Sequence, residues 1–332
     1  MDQESSSSAR LTTTRHSVLI EPGATTSVAA IRPEAYTLRG STANFDVSYD
    51  TSLGANGQGL ADAILAKCES DLAKLESFFS VRSPGRFTIF IDPGTFGASH
   101  SSCPGRDIHC AAFSGTDGSL ENFLNCAEVD EVLMAAQAAG WNCAASAGEG
   151  LSRVLATELY PASLGRFATA SLWLNSARPD WVTQTEGTDR DHVSIGCATL
   201  FLNYLRHQLN FTLPKIVQAG GATLQQTYER LTGRSDAFGP FAALLQFHFP
   251  IGVPVNLAND NPFPLAESAL VPDVLFMPEL AASKAVTRVG LVPHFTGATS
   301  PPSFVGSQSP SGGKLVTRGS TVTMHLNAGS TP

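Results

Sequence analysis

Apolar and polar positions alternate strictly over NFDVSYD. Phe45, Val47 and Tyr49 fall on one side and Asp46 and Ser48 on the other, the period-2 pattern of a half-buried strand. The period then lengthens. In GLADAILAKCESDLAKLESFF the residues Leu60, Ile64, Cys68, Leu72 and Leu75 recur at helical spacing, which predicts one long helix. RFTIFID returns to a strand and stops at Pro93-Gly94. A Gly- and Ser-rich loop covers Thr95 to Arg106, and DIHCAAF reads as a short edge strand. Upstream, SVLIEP and TSVAAI predict one or two short strands broken at Pro22 and Pro33. Beyond residue 150 the pattern is helical. FATASLWLN is broken by Arg178-Pro179-Asp180-Trp181, and a polar loop then ends in Ser194 as an N-cap. IGCATLFLNYLRHQLN carries a stripe of Ile195, Ala198, Leu202 and Leu205. TLPKIVQAG, ATLQQTYERLTG and AFGPFAALLQFHF make three shorter helices.

Between these blocks lies CAEVDEVLMAAQAAGWNCAASAGEGLSR, residues 126–153, with acidic side chains in otherwise apolar or small sequence. On a helix at about 100° per residue, Glu128 and Glu131 share a face with Leu124 and Ala135. Val129, Val132, Leu133 and Ala136 cover the next face, and Asp130 is left as the solvent-like position. A helix apolar on so many sides is expected to be buried, and buried carboxylates need a partner, a metal or a proton. A second helix opens at Gly148-Glu149-Gly150. Its apolar stripe is Leu151, Val154, Leu155 and Leu159, with Glu149, Arg153 and Tyr160 on the other side.

Composition narrows the classes. With 332 residues, 42% of them hydrophobic, the chain is long enough for one large domain and a small one. A net charge of −8 argues against nucleic acid as the main partner, and no apolar run is long enough to cross a bilayer. Residues 1–16 read as a flexible Ser/Thr-rich tail without the apolar core of a signal peptide. The six cysteines contain no C-x-x-C, which sets aside zinc-ribbon and thioredoxin-type readings. An even count fits disulfides in a secreted protein, with Cys103–Cys110 and Cys126–Cys143 the nearest pairs. The second of these is preferred, since it would tie the two Glu-bearing helices; six buried thiols are the alternative. The histidines His100, His109, His192, His207 and His248 are scattered, with no i, i+4 pair. Each is explained as a loop or packing residue, and His192, just after Asp189 and Asp191, is the best site candidate among them.

The spacing of Ala127-Glu128-Val129-Asp130-Glu131 and Glu149-Gly150 resembles the gluzincin group of zinc peptidases, and the layout of residues 44–250 is similar to theirs. There, His-Glu-x-x-His on one helix and a Glu on the next hold zinc, with the first motif's Glu as general base. The resemblance implies Glu128 as the catalytic base and Glu149 as the third-ligand position. Both histidines are absent, replaced by Ala127 and Glu131, so a peptidase-type zinc site is not supported. The helical part also resembles an uncharacterised group of bacterial proteins, which implies no activity.

Residues 251–270 are Pro-punctuated and aperiodic, as in a linker. The segment beyond them resembles a PASTA repeat. The matching parts are Val271-Pro272-Asp273-Val274, a helix over Glu279 to Arg288, Gly290-Leu291-Val292, Ser309-Pro310 with Gly312-Gly313, and Gly319-Ser320-Thr321-Val322. The resemblance implies a β-α-β-β-β module over residues 271–328, with a hairpin turn at Pro310–Gly313, a second turn at Arg318–Ser320, and TVTMHL as a last strand. Phe276 departs from the family, which commonly has Gly there to end the first strand. Such modules imply peptidoglycan or muropeptide binding and an extracytoplasmic, wall-associated address. Arg288, His294 and Arg318 are the candidate ligand groups in the tail.

The expectation is therefore an α+β protein: a gluzincin-like domain over 17–250, with a small N-terminal sheet and a helical C-terminal part, then a PASTA module. Three functional readings stand. In the first, the protein is wall-associated and non-catalytic, has no cofactor, and Arg153 neutralises the carboxylates. In the second, it is a hydrolase whose Glu128, Glu131 and Glu149 hold a divalent metal; all-oxygen ligands suit Mg²⁺, Ca²⁺ or Mn²⁺. In the third, the carboxylates are ordinary salt bridges in a helical scaffold.

Overall fold

A computed structural model describes residues 16–18, 35–93, 97–113, 117–162, 168–188, 190–257, 261–298 and 303–328. Apart from His16, the tail expected over 1–16 lies outside the described residues. So do TSVAAI, most of SVLIEP, and Asp189. The chain is a mixed α+β protein in two compact units, residues 1–241 with 251–263, and residues 242–250 with 264–332.

The first unit begins with strands His16–Val18 (β1), Tyr36–Ser41 (β2) and Phe45–Asp50 (β3). Two helices come next, Gly54–Leu65 (α1) and Cys68–Phe79 (α2), and then strands Phe87–Asp92 (β4), Ala98–His100 (β5) and Asp107–Ala111 (β6). The six strands form one sheet in the order β1-β5-β6-β4-β3-β2. Phe45, Val47 and Tyr49 on β3, and Phe87, Ile89 and Ile91 on β4, are buried as their alternation requires. Pairing of β3 with β4 and of β4 with β6 is parallel, and the other three pairings are antiparallel.

Two expectations change here. The single helix is two, with the break at Ala66 and Lys67. No side chain caps either side of it, so the sequence carries no stop signal. The strand at residue 107 is interior rather than at an edge, because the supposed loop before it contains β5, which pairs with it across Ala98↔Cys110.

Helices Ser119–Gln137 (α3), Ser146–Leu159 (α4), Ala168–Leu174 (α5) and His192–Asn203 (α6) succeed the sheet. A π-helical turn extends α6 through Tyr204–Gln208. Helices Leu213–Gln218 (α7), Leu224–Thr232 (α8) and Phe238–His248 (α9) complete the run. The N-cap of α6 is Asp191, whose side chain accepts from the Val193 N–H; Ser194, the expected cap, is already inside the helix and buried.

α3 packs against α1, α2, α4, β5 and β6, so every side of it is covered from Glu121 to Met134, while Ala135 and Ala136 in its last turn are exposed. α4 reaches its neighbours through two glycines. A Cβ on Gly148 would lie 2.1 Å from the Asn142 carbonyl oxygen, and one on Gly150 would lie 2.5 Å from the Ala198 Cβ on α6. Those close approaches bury Glu149, which stands between them.

The second unit carries strand Ser268–Leu270 (β7), helix Glu279–Arg288 (α10), and strands Val292–Gly297 (β8), Ser303–Ser309 (β9), Leu315–Thr317 (β10) and Thr321–Ala328 (β11). β8, β11 and β9 form a sheet in that order, with β8 parallel and β9 antiparallel to β11. Ala282 and Val286 of α10 join Val305, Val322, Met324 and Leu326 in its core.

Residues 271–274, expected as the first strand, are not in one; the strand ends at Leu270 and pairs with β10. For the same reason Pro310–Gly313 turns the chain without making a hairpin, since β9 pairs with β11 and β10 with β7. The turn expected at Arg318–Ser320 is present, closed by Ser320 N–H on the Thr317 carbonyl, and it joins β10 to β11 in the other sheet.

Candidate functional site

Helices α3 and α4 and the end of β5 bring five ionisable side chains into one interior region. Glu128 and Glu131 project from one face of α3, and Glu149 comes from α4. Asp130 lies one residue from Glu131, and His100 ends β5. Each of the five is at most 1% exposed. Asp130, expected to face solvent, is 0% exposed. When all faces of a helix are apolar, periodicity does not reveal which one meets water, and between Glu121 and Met134 none does.

Three ion pairs organise the group, two of them on His100. His100 Nδ1 is 2.6 Å from Glu128 Oε2, and His100 Nε2 lies 3.6 Å from Glu131 Oε2. Arg153, one helical turn after Glu149, donates from Nε at 3.1 Å and holds Nη2 at 3.0 Å, both to Glu149 Oε1. Burial pushes the Glu131 carboxyl well above the usual range. Glu128, Glu149 and Asp130 add to this, as does a hydrogen bond with Glu149. A neutral Glu131 donating its proton to an ionised Glu149 fits that arrangement. Burial also raises Asp130 well above its ordinary value, with Glu149 and Glu128 contributing. Both Asp130 oxygens, Glu128 Oε1 and Glu131 Oε2 have no hydrogen-bond partner among the described residues. Four carboxyl groups are thus enclosed in protein, with Glu128 against His100 and Glu149 against Arg153.

The other sequence candidates fall elsewhere. Tyr160 donates to Asp71 on α2, away from Glu149, and burial raises its pKa. His192 is half-buried near Arg153; burial lowers its pKa, and the Arg153 charge lowers it further. His109 pairs with Asp92 at 2.9 Å, and Tyr36 also donates to Asp92. In the second unit Arg288 and His294 are exposed, and Arg318 is ion-paired with Glu267 at 2.7 Å. Sequence reasoning missed His100. Its only signal is a polar residue one position out of phase with Ser99, in a three-residue strand too short for a period to register.

The disulfide also differs from the expected pairs: Cys103 joins Cys143, with Cα atoms 5.8 Å apart. Cys126 is buried within α3 and Cys110 within β6, and both remain thiols, as do Cys68 and Cys197. Cys103 lies just after β5 and Cys143 just before α4, so the bond ties together the two segments that carry His100 and Glu149.

No protein-family profile matches the chain, and no curated protein matches it.

The raised acids make stability depend on pH. A folded state that holds protons above pH 4, where the unfolded chain releases them, loses stability as pH rises. Asp130→Asn removes one such group. Its stability relative to the wild type, from urea unfolding, is expected to rise steadily from pH 4 to pH 8. A pH-independent difference would show that Asp130 is ionised in the folded protein.

Proposed function

We propose that the protein is an extracytoplasmic, cell-wall-associated binding protein that recognises peptidoglycan or muropeptides through its C-terminal unit and carries a peptidase-like first unit without catalytic activity. The observation that carries the non-catalytic part is the sealing of Glu128. At 0% exposure, with one oxygen against His100, it has no path to a substrate carbonyl or an attacking water. A gluzincin zinc does not fit these residues: Ala127 offers no donor, and Glu149 is already held by Arg153. A Cys103–Cys143 disulfide suits an oxidising compartment.

The wall-binding part rests on the PASTA-like pattern and on two features of the second unit. Phe276, at the position where that family commonly has Gly, adopts φ +62°, a backbone conformation that glycine takes without strain. Phe276 is also 80% exposed, and its N–H bonds to the Val305 carbonyl, next to Phe304 at 39%; Leu280 in the same unit is 68% exposed. Exposed apolar patches of this kind mark binding faces, and a flat ring offers a stacking surface for the apolar face of a sugar.

Sedimentation with insoluble peptidoglycan tests this reading. The full chain is expected in the pellet, and a chain lacking residues 264–332 in the supernatant. Phe276→Asn, which tolerates positive φ, is expected to weaken retention on the order of tenfold, about 1.4 kcal/mol. Equal retention of the full and shortened chains would refute the proposal.

A further inference from the structure

We propose that His100, Glu131 and Cys143 are the ligands of a buried zinc site that forms when the Cys103–Cys143 disulfide is opened. The site is independent of the wall-binding reading, and its ligand set differs from the gluzincin one at two of three positions.

One ligand atom from each of the three residues lies within 4.8 Å of the other two, and all three residues are buried. Imidazole, carboxylate and thiolate are the donors zinc prefers, at about 2.0–2.3 Å each. Two such atoms on one tetrahedral ion stand roughly 3.3–3.5 Å apart. His100 Nε2 and Glu131 Oε2 are already 3.6 Å apart. Glu131 Oε2 has no hydrogen-bond partner among the described residues, although its residue is 1% exposed. Behind the histidine, Glu128 Oε2 holds Nδ1 at 2.6 Å. A carboxylate in that position fixes the tautomer that turns Nε2 toward a metal, the usual outer-shell arrangement of a histidine ligand.

The disulfide withholds the third donor. Cys143 is 1% exposed, whereas Cys103 is partly exposed and is the sulfur an outside thiolate can reach. Attack there forms a mixed disulfide on Cys103 and expels Cys143 as a thiolate. The second thiol of a dithiol then releases Cys103 and leaves the reagent oxidised. The new thiolate is buried beside Glu131 and its acidic neighbours, where an extra negative charge is costly. A divalent zinc offsets it: thiolate, carboxylate and neutral imidazole with Zn²⁺ sum to zero charge.

Cobalt(II) is the probe, added to the full chain after chelator treatment. In the wild type reduced with a phosphine, and in Cys103→Ser without reductant, one equivalent of cobalt is expected. It should give the thiolate charge-transfer and visible bands of a tetrahedral site, and zinc should displace it. The oxidised wild type should show neither band, and Cys143→Ser should lose the charge-transfer band under reduction. Glu128→Gln should weaken binding on the order of 10–100-fold. The proposal is overturned if reduction produces no band, if the oxidised protein binds cobalt equally, or if the charge-transfer band survives in Cys143→Ser and so comes from another cysteine. Because the oxidised and reduced wild type are compared directly, misfolding of a variant does not decide the result.

Discussion

Arg153→Ala is expected to cost the protein about 3–5 kcal/mol, the range for removing one partner of a buried ion pair. The guanidinium contacts Glu149 Oε1 through two nitrogens, and the Glu149 side chain is 1% exposed. Without it, Glu149 must stay charged against Glu131 and Asp130 or take up a proton; either route opposes folding at neutral pH. Arg153→Lys keeps the charge but loses the two-pronged grip from Nε and Nη2, and is expected to recover part of the loss. Urea denaturation of the three proteins measures this. A loss below about 1 kcal/mol for Arg153→Ala, the value of an exposed pair, would show that Arg153 does not neutralise the cluster.

The second large effect belongs to the disulfide. Cys103 and Cys143 are separated by 40 residues, and closing a loop of that length stabilises by about 4 kcal/mol on the chain-entropy estimate. Cys103→Ser is expected to lose about that much, with little dependence on salt, whereas Cys126→Ser leaves the bond intact. The thiol count checks the pairing independently. Denatured, unreduced protein should titrate as four free thiols, those of Cys68, Cys110, Cys126 and Cys197. Six free thiols would remove the bond from the account, and with it the covalent tie between the His100 and Glu149 segments.

Much of the secondary structure was legible because one face of each element is buried. Phe45, Val47 and Tyr49 could be read as a strand face since their polar neighbours mark the other side. The helices after residue 150 announced themselves by stripes such as Leu151, Val154 and Leu155. The same logic picked out Glu128, Glu131 and Glu149, because a carboxylate in apolar sequence is conspicuous.

It failed where the contrast disappears. A polar residue on an otherwise apolar helix reads as its solvent position, but around Asp130 α3 is enclosed on every side, and its exposed residues are Ala135 and Ala136 in the last turn. β5 has three residues, so neither it nor His100 could stand out from a Gly- and Ser-rich stretch. Once β5 is missing, the strand at 107 looks like an edge, and the approach of Cys103 to Cys143 is invisible. Sequence distance favoured Cys126 as the partner. In the fold, helix α3 turns Cys126 toward Asp71 instead, where burial raises the thiol well above its usual pKa.

We propose that salt bridges and bound protons, with no metal, hold the acidic cluster in the oxidised protein, and that the first unit is not a hydrolase. Elemental analysis of the protein purified without reductant, paired with thermal unfolding with and without a chelator, tests it most directly. The account predicts far less than one metal per chain and the same melting temperature in both samples. One tightly held metal per chain, with a chelator lowering the melting temperature, would contradict it and favour a metal-dependent hydrolase using Glu128, Glu131 and Glu149.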